Sequence, residues 1–192
     1  MRKLVPVLVV LCAAGCFNEP EPAYKSVPAE NRVYLNDKGL KTVPAINAKA
    51  DYLNLDRNEL TNVSAVAGLT GLKWLRLNDN KLSALPDLKG LVNLRRIYLK
   101  NNKFAAVPET LKDLPELTDI DLSGNPIKEV PQWLAEKKGL KNLSFSRTQL
   151  VKLPENLENW KTLQCLQLGD LNISAAEMAR IRKALPNVAI VF

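Results

Sequence analysis

An internal repeat constrains this chain more than any other feature, because it runs from residue 33 almost to the C-terminus. Seven apolar residues, each at the head of a short apolar-x-apolar segment, recur at intervals of 20, 22, 22, 23, 23 and 23 residues. They are Val33, Leu53, Leu75, Ile97, Ile120, Leu143 and Leu166. A unit of this length cannot bury its apolar side alone, and stacking closes the core between neighbours. The spacing therefore predicts a solenoid.

The copies share the pattern L-x-x-L-x-L-x-x-N-x-L. Its best matches are LKWLRLNDNKL, LRRIYLKNNKF and LTDIDLSGNPI, at residues 72–82, 94–104 and 117–127. Looser copies occupy residues 50–60, 140–150 and 163–173, and a truncated copy occupies 33–40. In this pattern the chain resembles the leucine-rich repeat family. The resemblance implies an α/β solenoid, a right-handed superhelix or horseshoe with a parallel concave β-sheet and short helices or turns on the convex side.

Outward strand positions form the candidate binding surface, because side chains alternate between the two faces of a strand. In chain order these positions hold Tyr34, Tyr52, Asn54, Trp74, Arg76, Arg96, Tyr98, Asp119, Asp121, Asn142, Ser144, Cys165 and Gln167. Tyr, Trp and Arg dominate interface energetics, so we expect a ligand-binding patch here. Its predicted residues are Tyr52, Trp74, Arg76, Arg96, Tyr98, Asp119 and Asp121. The alternative is that β-propensity and cross-strand packing alone place aromatic residues at these positions.

The centre of this patch is expected at Trp74, which should be exposed between Tyr52 and Arg96. Three basic residues, Lys73, Arg95 and Lys100, are expected to border the patch with positive charge. Such a border would steer carboxylate-bearing ligands or acidic protein surfaces toward the N-terminal half.

A column of asparagines occupies the ninth position of the pattern, where the chain turns out of the strand. Its members are Asn58, Asn80, Asn102 and Asn125. A buried amide must be satisfied, and backbone groups of the turn and of the neighbouring repeat are the available partners. We interpret the column as structural rather than as a ligand site. Lys38, Thr148 and Leu171 interrupt it near both ends.

The return segments between the strands and the C-terminus contain residues that predict short helices, turns and a cap. Short helices are expected after Pro108, Pro131 and Pro154, since proline can open a helical turn. Tight turns are expected in the earlier segments that contain Gly68 and Gly90. Ser174 and Glu177 form an S-x-x-E capping box, which predicts a helix followed by a strand at residues 188–192. This helix and strand would cap the last repeat.

Few residues of this chain have side chains that are typical of catalytic or metal-binding sites. The chain contains no histidine, the commonest general base and metal ligand. Asp119 and Asp121 would share one strand face, where they could act as acid and base or hold a cation, but we favour two solvated carboxylates that shape a binding surface. Cys165 has no histidine to lower the pKa of its thiol and is expected to be unreactive and without an internal disulfide. We predict no enzyme, no cofactor and no metal site.

The N-terminus predicts export. Met1 to Lys3 is basic, and an apolar run to Ala14 is too short to span a membrane. Residues 13–16 resemble the bacterial lipobox, which implies cleavage before Cys16 and acylation of its sulfur, although Ala13 departs from the usual Leu, Val or Ile. Alternatives are an ordinary signal peptide cut elsewhere and a short signal anchor. The predicted units are a signal peptide at 1–15, a lipidated tether at 16–31, repeats at 32–173 and a cap at 174–192.

Charge and location limit the partners. Removal of residues 1–15 would lower the 27 basic residues to 25 against 20 acidic ones, a net charge of +5 without a basic run, which argues against nucleic acid. We expect a monomer that binds a protein ligand and is lipid-anchored in the bacterial cell envelope, at the outer membrane or cell surface if the organism is Gram-negative. The alternatives are a structural envelope lipoprotein without a discrete ligand and a hydrolase that uses Asp119 and Asp121.

Overall fold

The computed structural model describes residues 28–192, which form one sheet of eight parallel strands in sequence order. The strands are β1 (Arg32–Tyr34), β2 (Tyr52–Asn54), β3 (Trp74–Arg76), β4 (Arg96–Tyr98), β5 (Asp119–Asp121), β6 (Asn142–Ser144), β7 (Cys165–Gln167) and β8 (Ala189–Val191). The seven apolar residues that head the repeats are the central residues of β1–β7 and pair with one another in register. The predicted leucine-rich repeat solenoid is confirmed. The predicted signal peptide, Cys16 and most of the tether lie outside the described residues.

The core consists of stacked columns of aliphatic side chains behind the sheet. The central strand residues from Leu53 to Leu166 are fully buried, and so are the leucines two positions later, such as Leu77 and Leu99. A fully buried side chain of this type stabilises the fold by about 1.5 to 3 kcal/mol. Val33 and Leu35, in the first repeat, are only partly buried because no further repeat of the described chain packs against them.

The four asparagines of the ninth position connect consecutive repeats through their side-chain amides. The Nδ2 group of Asn80 donates to the carbonyl of Leu55 in the preceding repeat at 3.0 Å and to the carbonyl of Leu77 in its own repeat at 3.2 Å. Its Oδ1 accepts from the amide of Leu60 at 3.1 Å. The same bonds recur at Asn58, Asn102 and Asn125. Each amide therefore satisfies backbone groups of two repeats.

The residue before each ninth position adopts a left-handed backbone conformation. Its φ lies between 53° and 68° in all seven repeats. These residues are Asp37, Arg57, Asp79, Asn101, Gly124, Arg147 and Asp170. Asp and Asn tolerate this region better than other side chains do. At Gly124 a Cβ atom would also overlap Oδ1 of Asn101, so the Asn101 side chain would have to move if a larger residue stood there.

The return segments agree only partly with expectation. Residues 132–136 form helix α1 (Gln132–Glu136), and short 3₁₀ helices occupy Ala29–Asn31, Ser64–Gly68, Glu109–Leu111 and Glu158–Thr162. The expected tight turn around Gly68 is wrong, because Ser64–Gly68 is helical. Pro108 and Pro131 directly precede their helices, whereas the helix after Pro154 begins only at Glu158. Within residues 28–192 no helix has the length and apolarity needed to cross a membrane.

The predicted C-terminal cap is present as helix α2 (Ala175–Ala184) followed by β8, which pairs with β7. The hydroxyl of Ser174 accepts from the amide of Glu177 at 3.2 Å, as a capping box requires. The Glu177 carboxylate instead accepts from the amide of Leu153 at 2.9 Å and pairs with Arg180, which lowers the pKa of Glu177. The helix is thus tied to the return segment of the repeat before it.

Replacement of Asn102 by alanine should lower the free energy of unfolding by about 1 to 3 kcal/mol, because it leaves buried backbone groups of two repeats without a partner. Denaturant unfolding followed by circular dichroism measures the change. Lys103→Ala is the matched control, since this neighbouring side chain is exposed and its loss should be nearly neutral. Equal unfolding midpoints for the two variants would contradict a structural role for the column.

Candidate functional site

The concave face of the sheet carries two parallel columns of side chains, set by the register of the strands. The first column contains Tyr52, Trp74, Arg96, Asp119, Asn142 and Cys165. The second contains Tyr34, Asn54, Arg76, Tyr98, Asp121, Ser144 and Gln167. Residues that are 20 to 23 positions apart in the sequence therefore become lateral neighbours, with strands about 4.8 Å apart. All seven predicted patch residues lie on this face.

Aromatic rings and guanidinium groups make two sets of contacts across β1–β4. The rings of Tyr34 and Tyr52 lie 5.4 Å apart, and those of Tyr52 and Trp74 meet edge to face at 5.9 Å. The guanidinium of Arg96 lies over the Trp74 ring at 4.9 Å, a cation-π contact. Arg76 stacks over Tyr98 at 5.2 Å in the second column. The N-terminal half of the face therefore carries a cluster of rings and guanidinium groups in two stacked sets.

The expected exposure of Trp74 is wrong. Its side chain is only 7% exposed, and Tyr52 and Tyr98 are buried as well. Arg76 and Arg96 are half-buried, whereas Tyr34 is exposed. Trp74 and its neighbours in the cluster make further interactions besides these contacts. The periodic pattern assigned these rings to the correct face, but it carried no information on how deeply each ring is packed.

Sequence reasoning missed Asp56, which anchors the second column. Its buried carboxylate pairs with the guanidinium of Arg76 at 2.7 Å and accepts from the backbone amide of Asn78 at 2.8 Å. Asn78 occupies the same seventh position in the next repeat and makes the same type of bond, because its Oδ1 accepts from the amide of Lys100 at 2.9 Å. A carboxylate at the seventh position of one repeat and an arginine at the fifth position of the next was the available signal.

Asp119 and Asp121 lie on the same face, but both are buried, so the interpretation of two solvated carboxylates is wrong. Asp119 accepts from the side-chain amide of Asn142 at 2.6 Å and from the hydroxyl of Thr118, and Arg96 lies 3.8 Å away. Asp121 accepts from the backbone amide of Ser123 at 2.9 Å, and burial raises its pKa. No group of three or more Cys, Asp and Glu residues within 28–192 is arranged to hold a metal ion.

The C-terminal part of the face is small and polar. Ser144 is fully buried and shares a hydrogen bond with the hydroxyl of Ser123. Gln167 is half-buried at the equivalent position of β7. Cys165 is buried and disulfide-bonded, which differs from the expected thiol without a disulfide.

The basic border of the patch is partly neutralised by acidic neighbours. Lys73 lies 3.4 Å from Asp51, and Arg95 lies 3.8 Å from Glu116. Lys73 is half-buried, whereas Arg95 and Glu116 are exposed, so solvent screens the Arg95–Glu116 pair in particular. The positive field along this edge is therefore weaker than the sequence suggested.

Comparisons with known proteins agree with this geometry. Residues 70–111 match the sequence model described as leucine-rich repeats in two copies. An internalin of Listeria monocytogenes is 23% identical with a TM-score of 0.64, over 80% of this chain and 45% of the internalin chain. The chain has the leucine-rich repeat fold. It spans less than half of that internalin.

A leucine-rich repeat protein of Leptospira interrogans is also similar, at 26% identity and a TM-score of 0.43, over 80% of this chain and 58% of that one. None of the curated proteins compared matches the sequence.

Asp121→Asn should raise the melting temperature at pH 7 by roughly 2 to 4 °C. Burial holds the pKa of Asp121 above its unfolded value, so the ionised carboxylate costs folding free energy at neutral pH. This cost disappears as the pH falls through the folded pKa, because the folded chain takes up the proton first. The difference between variant and wild type should therefore narrow on acidification, as measured by calorimetry.

The control for this change is Asp170→Asn, which removes an exposed carboxylate and alters the net charge equally. It should not produce the same gain at pH 7. A melting temperature for Asp121→Asn below that of the wild type at every pH would contradict the assignment of an unfavourable buried charge.

Proposed function

We propose that this chain is a lipid-anchored, extracytoplasmic leucine-rich repeat protein that binds a protein ligand through its concave face. The observation that carries the proposal is the stacking of rings and guanidinium groups across β1–β4. Tyr, Trp and Arg are the residue types that dominate interface energetics. The fold supports many functions, so the argument depends on this face and not on the architecture.

Packing holds the arginines of the face in position before any ligand arrives. Trp74 lies beneath the guanidinium of Arg96, while Tyr98 and Asp56 hold that of Arg76. A side chain that is already ordered loses less conformational entropy on binding. A ligand would contact the parts of Arg76 and Arg96 that are not buried, together with exposed Tyr34, and would match or replace their present interactions.

Binding accounts for this face better than catalysis does. The chain has no histidine, and the oxygens of Asp119 are engaged by neighbouring donors. Asp121 is buried, and its carboxylate accepts a hydrogen bond from the backbone amide of Ser123. A general acid or base must reach the proton that it transfers. Neither carboxylate meets this condition, so we propose that they organise the face.

The anchor is proposed from the N-terminal sequence alone. The basic start, the short apolar run and the small residues before Cys16 favour export and acylation of its sulfur. The protein would then stay at a membrane of the bacterial envelope. A sulfur that carries a lipid cannot also form a disulfide, because it has no thiol left to oxidise.

Arg96→Ala should weaken binding to the captured partner at least tenfold, because it removes a cation held at the centre of the face. The partner is first isolated with the full anchored protein by crosslinking and mass spectrometry, and its affinity for each purified variant is then measured. Gln167→Ala is the control at the far end of the same face. Thermal melts of both variants verify folding. Loss of binding by Gln167→Ala alone would move the site to the other half.

Cys16→Ser should abolish partitioning of the protein with membranes, because serine has no sulfur to acylate. Membrane fractionation measures this loss. The intact mass of the mature wild-type protein, taken without reduction, separates a diacylglyceryl thioether on Cys16 from a disulfide. A mature N-terminus elsewhere, or a mass without lipid, would overturn the anchor.

A further inference from the structure

A polar pocket of about 490 Å³ lies beside the concave face, at the edge where strands β4–β7 begin. Its wall includes Arg95, Glu116, Thr118, Lys141 and Gln164, all of which precede the strands, and it borders Trp74, Arg96, Asp119 and Asn142 of the face. The pocket therefore continues the candidate binding face at its basic border. Nothing in the proposed function assigns it a ligand.

The pocket arises from a short side chain between two long ones. Thr118 lies between Arg95 and Lys141 in adjacent repeats, since its amide donates to the carbonyl of Arg95 at 2.9 Å and its carbonyl accepts from the amide of Lys141 at 2.8 Å. The Thr118 hydroxyl donates back toward the carbonyl of Arg95 and toward Asp119, which keeps it low in the wall. With strands about 4.8 Å apart, the two cationic residues flank a notch roughly 10 Å wide between backbones.

The lining charges favour an anion with one negative charge. Three cations, Arg95, Arg96 and Lys141, face two carboxylates, Glu116 and Asp119, which gives a net charge of +1. Asp119 is buried and engaged by Asn142 and Thr118, so it is unavailable to a ligand. Lys141 is exposed and makes no side-chain ion pair or hydrogen bond with the described part of the chain.

We propose that this pocket binds one carboxylate, a glutamate or aspartate side chain, of an acidic segment in the protein ligand. The inference rests on the proposed function and specifies the chemistry of its partner. The carboxylate would lie over Thr118 between the Lys141 ammonium and the Arg95 guanidinium, which supply charge-assisted donors. A dianionic group such as a phosphate is disfavoured, because Glu116 lies on the same wall and repels a second negative charge.

The test uses a small probe, the capped tripeptide acetyl-Gly-Glu-Gly-amide, titrated into the full chain and followed by chemical shifts of backbone amides. Saturable shifts should concentrate at Thr118, Lys141 and Gln164, and higher salt should weaken them. The acetyl-Gly-Gln-Gly-amide analogue, which lacks the charge, should not produce them. Equal binding of both tripeptides, or the absence of saturable shifts at these residues, would overturn the proposal.

Two variants with opposite expected effects identify the site. Lys141→Gln should weaken binding of the glutamate tripeptide about fivefold, whereas Lys103→Gln, the same charge change at an exposed position after β4, should leave it unaltered. Glu116→Gln should strengthen binding, because it removes the opposing carboxylate, and a gain cannot come from misfolding. Equal weakening by Lys141→Gln and Lys103→Gln, or weaker binding by Glu116→Gln, would contradict the assignment.

Binding of the captured partner by the variants distinguishes failure of this inference from failure of the proposed function. If Lys141→Gln binds the partner as the wild type does and Arg96→Ala does not bind it, the proposed function is supported and the carboxylate pocket is overturned. Specific binding of the tripeptide by a protein that captures no partner would support the pocket and count against the proposed function.

Discussion

Each repeat reverses its chain directly after a three-residue strand, and this reversal leaves backbone amides and carbonyls inside the core. A side-chain amide at the ninth position satisfies those groups in its own repeat and in the preceding one. Buried polar groups without a partner are costly, so these bonds fix the position of one repeat on the next. The column of left-handed residues before the ninth positions repeats the same turn geometry seven times, and asparagine follows four of them. The rest of the molecule depends on this shared register.

The register of the strands determines which side chains become neighbours on the concave face. Because every strand aligns with its neighbour at the same position, residues about 22 apart become lateral neighbours on the concave face. Arg96 therefore lies over Trp74, and Arg76 pairs with Asp56, although neither pair is close in the sequence. The same rule makes the pocket at Thr118, where one short residue interrupts a column of long cationic side chains. Substitutions at single positions can thus reshape the face while the core stays unchanged.

The repeat pattern predicted the strands and their order, but it did not predict the burial and partners of side chains that contact other repeats. The strands, their parallel order and the C-terminal helix and strand follow from spacing and from the Ser174 capping box. Burial of Trp74 and Asp119 did not follow, because alternation gives the face of a residue but not the neighbours that cover it. The helix at Ser64–Gly68 was missed because small residues there resembled a turn. Asp56 was missed because its partner lies in the next repeat.

The distribution of charge on the face argues for recognition over chemistry. Carboxylates at its centre, such as Asp119 and Asp56, are buried and held by donors from adjacent strands. Such groups orient the side chains around them. The cations at the border are different, because Arg95 and Lys141 extend into solvent with weak or no partners in the described chain. Ordered aromatic and guanidinium groups at the centre would supply affinity, while exposed charges at the rim would govern the approach of a ligand. This division is typical of an interface, and under the proposed function the discriminating contacts would lie at the edge where the strands begin.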